Sequence, residues 1–188
     1  MARVPGQRHG WLIIPGVQSG DRTLEEQMRG LKPALAEAKG RSVLDLGCAE
    51  GLIGREFARA GAVDVLGLDS VVHHIRVAKE QCAGFPMRFK VRDLNTHKPA
   101  KTPSWDIVLA LAVLHKLELP ERGTRYCAIA AKSLVVIRLP VGSAGLIVGK
   151  HSRVECDVRS VMSEQGFALE RVEQGPREEM VQYWRRAK

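Results

Sequence analysis

The sequence predicts an α/β domain, with a mostly parallel sheet covered by helices on both faces. Three observations carry that prediction. Short apolar runs alternate with stretches of helical periodicity along most of the 188 residues. Two of those runs, Trp105–Ala110 and Ser133–Ile137, are too continuously apolar for a half-exposed sheet and belong in central strands covered on both sides. The third is a glycine-bearing turn between an apolar run and a helical stretch, the start of a βαβ unit.

Residues 1–20 hold the apolar patch Trp11–Ile14, which Pro15-Gly16 closes well short of a signal or membrane-spanning length. They read as a loose N-terminal arm, with residues 21–188 as one domain. Thr23 and Glu26 have capping-box spacing, and Leu24, Met28, Leu31 and Leu35 recur at helical intervals. That predicts one helix to about Ala38, bent at Pro33. Strand Ser42–Leu46, turn Gly47–Gly51 and helix Leu52–Ala60 follow. Next come strand Asp64–Leu68, helix Val71–Gln81 with Val72, Ile75 and Ala78 inward, and strand Met87–Val91. Glu121–Lys132 is the helix between the two central strands. Val154, Val158, Val161 and Met162 predict a further helix stopped by Gly166, and Phe167–Val172 with Met180–Trp184 an antiparallel pair closing the sheet. The sum is a seven-strand, mostly parallel sheet with a reversed C-terminal edge strand.

With 45% hydrophobic and 27% charged residues, the chain can bury a real core without disulfides or metals, which excludes native disorder. Its 29 Lys and Arg against 21 Asp and Glu give +8, a bias toward anionic partners. Cys48, Cys82, Cys127 and Cys156 form no CxxC pair, so no zinc site or disulfide framework is signalled and a reducing cytoplasm is the expected compartment. No metal and no membrane association are expected.

The informative stretch is Val43–Gly51 followed by Gly67-Leu-Asp69. A glycine turn lets a ligand approach the backbone, and an acid at the tip of the next strand can take both hydroxyls of a ribose. Asp69 falls close to the ~20-residue spacing expected for that acid. A pyrophosphate wants bare backbone N–H groups, but this turn carries Asp45 and Glu50, and Ala49 breaks the dinucleotide glycine pattern. The carboxylates suit a cation instead, such as the sulfonium and amino group of S-adenosylmethionine (SAM).

These residues resemble the class I SAM-dependent methyltransferase family, whose first motif runs hydrophobic-Asp-hydrophobic-Gly-Cys-Gly-Thr-Gly. The resemblance covers roughly residues 40–175 and implies a Rossmann-like three-layer αβα sandwich. It implies that Asp45, Gly47 and Gly51, with Cys48, Ala49 and Glu50 between them, shape the methionine end of the pocket. Asp69 with Ser70 would hold the ribose, Asp93 with Leu94 would meet the adenine, and Ala110 would lie in the fourth-strand segment near the sulfonium. Ala49 and Glu50 depart from the usual glycine and threonine, which implies a slightly tighter pocket.

His115 follows the fourth strand, where an acceptor would be presented, and is the candidate general base; its competing reading is a structural histidine. Gly149-Lys150 lacks the remainder of a phosphate-binding loop. The expected reaction is methyl transfer to an oxygen or nitrogen of a small molecule that enters between the arm, the loop after His115 and the Gly142–Gly149 loop. RNA or DNA is the alternative acceptor, encouraged by the basic run from Arg88 to Lys101 but weakened by only 5% aromatic residues. A non-catalytic SAM-binding module is a further alternative. Oligomeric state is left open.

Overall fold

The computed structural model describes residues 9–140, 146–148 and 155–187. Strands β1 (His9–Leu12) and β2 (Ser19–Arg22) pair in parallel ahead of two short helices, α1 (Leu24–Met28) and α2 (Lys32–Ala36). The expected single helix over this stretch is broken rather than bent. Gly30 at φ +78° turns the chain between α1 and α2, and Pro33 sits in the first turn of α2, where its missing N–H is harmless.

Alternation then sets in: β3 (Ser42–Leu46), α3 (Leu52–Arg59), β4 (Asp64–Asp69), α4 (Val72–Gln81) and β5 (Met87–Val91). Beyond residues 92–104 come β6 (Trp105–Leu111), α5 (Pro120–Ala130) and β7 (Ala131–Leu139). A small antiparallel pair, β8 (Leu146–Val148) and β9 (Glu155–Asp157), precedes α6 (Val158–Glu164). The helix expected from Val154 therefore starts at Val158, capped by the Asp157 carboxylate, while Val154 itself, most of the Gly142–Gly149 loop and Lys150 lie outside the described residues. In α4, Ile75, Val77 and Ala78 face the core, but Val72 is 69% exposed, because it shares the solvent-facing side of the helix with Arg76 and Lys79.

β10 (Phe167–Gln174) and β11 (Met180–Arg186) complete a seven-stranded sheet in the order β10-β11-β7-β6-β3-β4-β5. Five neighbouring strands, from β7 to β5, are parallel, and β11 runs against both β7 and β10. The reversed strand is thus the last in the chain and lies one place inside the edge. Helices α5 and α6 pack Leu44, Leu68, Val108 and Val135 on one face; α1 to α3 pack Val43, Val65, Ile107 and Val136 on the other. The strand order reverses between β3 and β6, which opens a crevice at their carboxyl ends. No helix among the described residues is long and apolar enough to cross a membrane.

The near end of β7 is tied down by charge. Arg138, fully buried, donates to the backbone and side-chain oxygens of Gln27 on α1, and its Nε lies 3.1 Å from Glu179. Arg22 reaches the same carboxylate at 3.2 Å. Burial draws the Arg138 pKa down to about 10, with Glu179 opposing the loss of charge. Removing one partner of such a pair strands a charge in the core. Glu179→Ala is therefore expected to lower urea-unfolding stability by about 3–5 kcal/mol; a loss under about 1 kcal/mol would mean that Gln27 alone satisfies the guanidinium.

Candidate active site

The turn after β3 is held from below by the strand next to it. The amides of Gly47 and Cys48 donate to Leu68 O at 2.8 and 3.0 Å, and Gly51 N donates to Cys48 O. Gly47 (φ +72°) has no room for a side chain, since a Cβ there would lie 2.7 Å from Val113. Ala49 is left-handed as well, at φ +46°, which costs an L-residue about 1–2 kcal/mol. Its amide offsets that strain by donating to Asp69 Oδ2 at 2.9 Å.

Asp69 ends β4, and its other oxygen accepts from Val71 N at 2.8 Å. The His74 imidazole on α4 stands 3.4 Å from that oxygen and 3.8 Å from Glu50. Burial alone would raise the Asp69 pKa, but His74 and the amides of Val71 and Ala49 outweigh it and hold the carboxyl below the usual aspartate range. The same contact raises His74 against its own desolvation. Asp69 is thereby an anion whose Oδ1 is met by both Val71 N and His74, while Oδ2, bound by Ala49 N alone, keeps a lone pair for a ligand.

Around this carboxylate lies a cavity of about 210 Å³. Six of the expected site residues line it: Gly47, Ala49, Asp69, Ser70, Asp93 and Leu94. The Asp93 carboxylate accepts from Asn95 N at 2.9 Å, which shapes the loop at the cavity wall. The other expected residues lie behind the wall. Asp45 is buried beneath the turn, Cys48 and Gly51 are buried within it, and Ala110 is sealed inside β6, the wall being formed instead by Leu111 and by Ala112, left-handed at φ +57°. Glu50 turns away from the cavity and accepts from Trp11 N at 2.7 Å, Leu12 N at 3.2 Å and Gln18 Nε2 at 2.7 Å. His115, in the short 3₁₀ turn after β6, is not among the lining residues.

Several lining residues escaped sequence reasoning. Trp11 belongs to the stretch read as a loose arm, yet residues 9–22 are docked strands, and the Trp11 ring lies 4.1 Å from Lys116 Nζ and 5.0 Å from the Arg22 guanidinium. Their only signal was an isolated aromatic in an apolar patch, paired with nothing nearby in sequence. His74 had a signal that could be read, a histidine in the first helical turn five positions after a strand-end acid. Asn95 and Lys116 carry no motif. The basic run disperses: Arg88 pairs with Asp64 at 2.7 Å, and of that run only Arg92 reaches the cavity.

Below the turn, Asp45 is 3% exposed and its Oδ2 accepts no hydrogen bond. Burial, and then the nearby Asp69 charge, push its pKa up to about 7, with Arg138 opposing. Cys48 is buried among the same charges, which drives its thiol well above the ordinary range and leaves no thiolate for attack.

Comparison with known proteins agrees with this geometry. Residues 43–132 match the family model described as a methyltransferase domain. Over 91 residues the chain is 31% identical to a ubiquinone biosynthesis O-methyltransferase of Photorhabdus laumondii, covering 47% of this chain and 38% of that one. The corresponding protein of Pectobacterium carotovorum is 30% identical over the same length. The chain thus spans well under half the length of these relatives. Among solved structures, magnesium protoporphyrin IX methyltransferase of Synechocystis PCC 6803 with bound SAH superposes at TM-score 0.67, with 20% identity over 82% of this chain and 78% of that one. A SAM-dependent methyltransferase of Mesorhizobium loti gives 0.66, with 20% identity over 83% and 97%. The fold is that of the class I, Rossmann-like methyltransferases.

The elevated Asp45 pKa has a signed consequence. In the folded state Asp45 keeps its proton to about pH 7, whereas unfolded it ionises near 4, so its contribution to stability falls as pH rises between those values. Asp45→Asn is expected to raise the melting temperature over wild type at pH 8, by a margin that shrinks progressively as the pH is lowered toward 4. A margin independent of pH in paired thermal scans would show that Asp45 is not held protonated.

Proposed function

We propose that this chain, which has the class I SAM-dependent methyltransferase fold and carries the methyltransferase-domain sequence over residues 43–132, moves a methyl group from SAM to an oxygen or nitrogen of a small molecule. The observation that carries the reading is Asp69: an ionised, half-satisfied carboxylate at a strand tip, facing a cavity whose floor is a side-chain-free turn at Gly47.

The residues present fit the cofactor. Asp69 would accept from the ribose hydroxyls through Oδ2, and His74 keeps it charged for that task. Leu94 and the Asp93–Asn95 loop would border the adenine. At about 210 Å³ the cavity is below the ~300 Å³ typical of enclosed ligand pockets, so the cofactor would lie along an open cleft beside Trp11 and Lys116. The bound cofactor would supply an already activated methyl group. What remains for the protein is in-line positioning, exclusion of water and the path of one proton. The cavity wall offers Lys116, Asn95 and Ser70 for orienting an acceptor, and His115 adjoins Lys116 on the same turn.

Two observations favour a small acceptor. The relatives over the matched region are named for a small-molecule O-methylation, and the basic run does not converge on the cavity. Cys48, Cys82 and Cys127 are buried free thiols, which supports a reducing compartment such as the cytoplasm.

Calorimetry is expected to show SAM and its demethylated product binding and NAD not binding. Asp69→Ala, by removing charge-assisted hydrogen bonds, should weaken SAM by at least about tenfold while the protein stays folded. Unchanged affinity would overturn the reading. With methyl-labelled SAM, label should pass to small phenolic or amine acceptors rather than to RNA or protein, and label in none of these pools would leave a binding module. His115→Ala tests proton transfer separately. With positioning supplying the rate, turnover should fall less than about tenfold; a loss of about 10²–10⁴-fold with SAM affinity intact and an inflection near pH 6.5 would instead make His115 a general base.

A further inference from the structure

The parallel crossovers β3 to β4, β4 to β5 and β6 to β7 each carry a helix, whereas β5 crosses to β6 through residues 92–104 with none. The layer formed by α5 and α6 is therefore one helix short beside α5, over the β4–β5 side of the sheet. A cavity over the sheet at that position and a second one along α5 adjoin there and share His97, Lys98, Pro99, Ala100 and Tyr126. The larger, of about 680 Å³, is floored by Leu119, Tyr126 and Ile129, and the smaller reaches Leu66, Leu68 and Trp105. Leu119 is 50% exposed at the start of α5. Leu119, Tyr126 and Ile129 lie along one side of that helix with Arg122 between them, so the floor runs parallel to its axis for roughly 15 Å from Leu119 to Ile129, interrupted by one cation.

The rim is cationic. Lys90, Arg92, Lys98, Lys101, Arg122 and Arg125 border the two cavities, against one acid, Glu121, which is already paired with Arg125 at 3.0 Å. Lys90, Lys98 and Lys101 make no ion pair among the described residues. An apolar floor of helical length with unpaired lysines along its margin is complementary to a helix with one apolar face and acidic flanks. A nucleic acid would satisfy the lysines but leave the Leu119, Tyr126 and Ile129 strip without a matching surface.

We propose that this groove, between α5 and the helix-free β5–β6 crossover, docks an amphipathic, acidic helix of a partner protein. The segment 93–95 that lines the cofactor cavity opens the same crossover, and Arg122 donates to Asn95 O and Thr96 O, so the docked helix would sit directly behind the cavity wall. The proposal stands whether or not the chain transfers methyl groups.

The test uses the full chain and a fluorescein-labelled designed peptide with leucine at heptad positions a and d and glutamate on its flanks, followed by anisotropy. Two controls accompany it, a peptide with lysine for glutamate and a scrambled peptide of equal composition. The acidic amphipathic peptide should bind at least about tenfold tighter than either control. Lys98→Glu with Lys101→Glu, and separately Leu119→Asp, should each weaken it by a similar factor with unchanged melting temperature. Absence of binding, equal binding of the scrambled peptide, or indifference to both variants would overturn the proposal. So would displacement of the peptide by an RNA oligonucleotide, or by laurate at stoichiometric concentration, in preference to unlabelled peptide.

Discussion

The Glu50 carboxylate is the contact on which the site depends. It is fully buried, and a charge in that position must be met by donors or it destabilises the fold. The donors are the amides of Trp11 and Leu12 and the side chain of Gln18, all from the N-terminal stretch, so the turn after β3 and residues 9–22 order one another. The fit is close: a Cβ on Gly10 would fall within 2.4 Å of both Gln18 and Glu50. Trp11 lines the cavity while its own amide is held by Glu50, and His74 stands between Glu50 and Asp69.

Asp45, one residue before the end of β3, and Asp69, the last residue of β4, lie on neighbouring parallel strands, yet they are held in opposite states. Asp69 is met by two amides and an imidazole, while the Oδ2 of Asp45 accepts nothing and faces its neighbour's charge. Two like charges in one low-dielectric region separate their pKa values in this way, and the better-solvated member keeps the charge. The turn above them thus rests on one anion and one near-neutral acid.

The sheet was legible because its signal is local. Continuous apolar runs such as Ser133–Ile137 have one stable environment, and Gly47, Gly51 and Asp69 sit at spacings that a βαβ unit imposes. The break at Gly30 was harder to read, because the apolar period continues through it and only the left-handed backbone reveals the turn. Glu50 was misread for a different reason. Its sequence position is inside the motif, but its partners are more than thirty residues away, and no local pattern shows which side of a turn a carboxylate will face. Trp11 and Lys116 meet across the same kind of distance.

Strand β5 has a neighbour on one side only and no helix over one of its faces. Such a strand is a template for unwanted pairing with other chains, during synthesis as well as after it. Here Arg88 and Lys90 are exposed and alternate with Met87 and Phe89, which are turned toward α3 and α4. Arg88 is neutralised by Asp64, but the charge of Lys90 would repel an identical strand approaching edge to edge, a gatekeeping role of the kind that keeps exposed strands from seeding aggregates. The basic stretch that in sequence suggested a polyanion thus has a use in keeping copies of this chain apart.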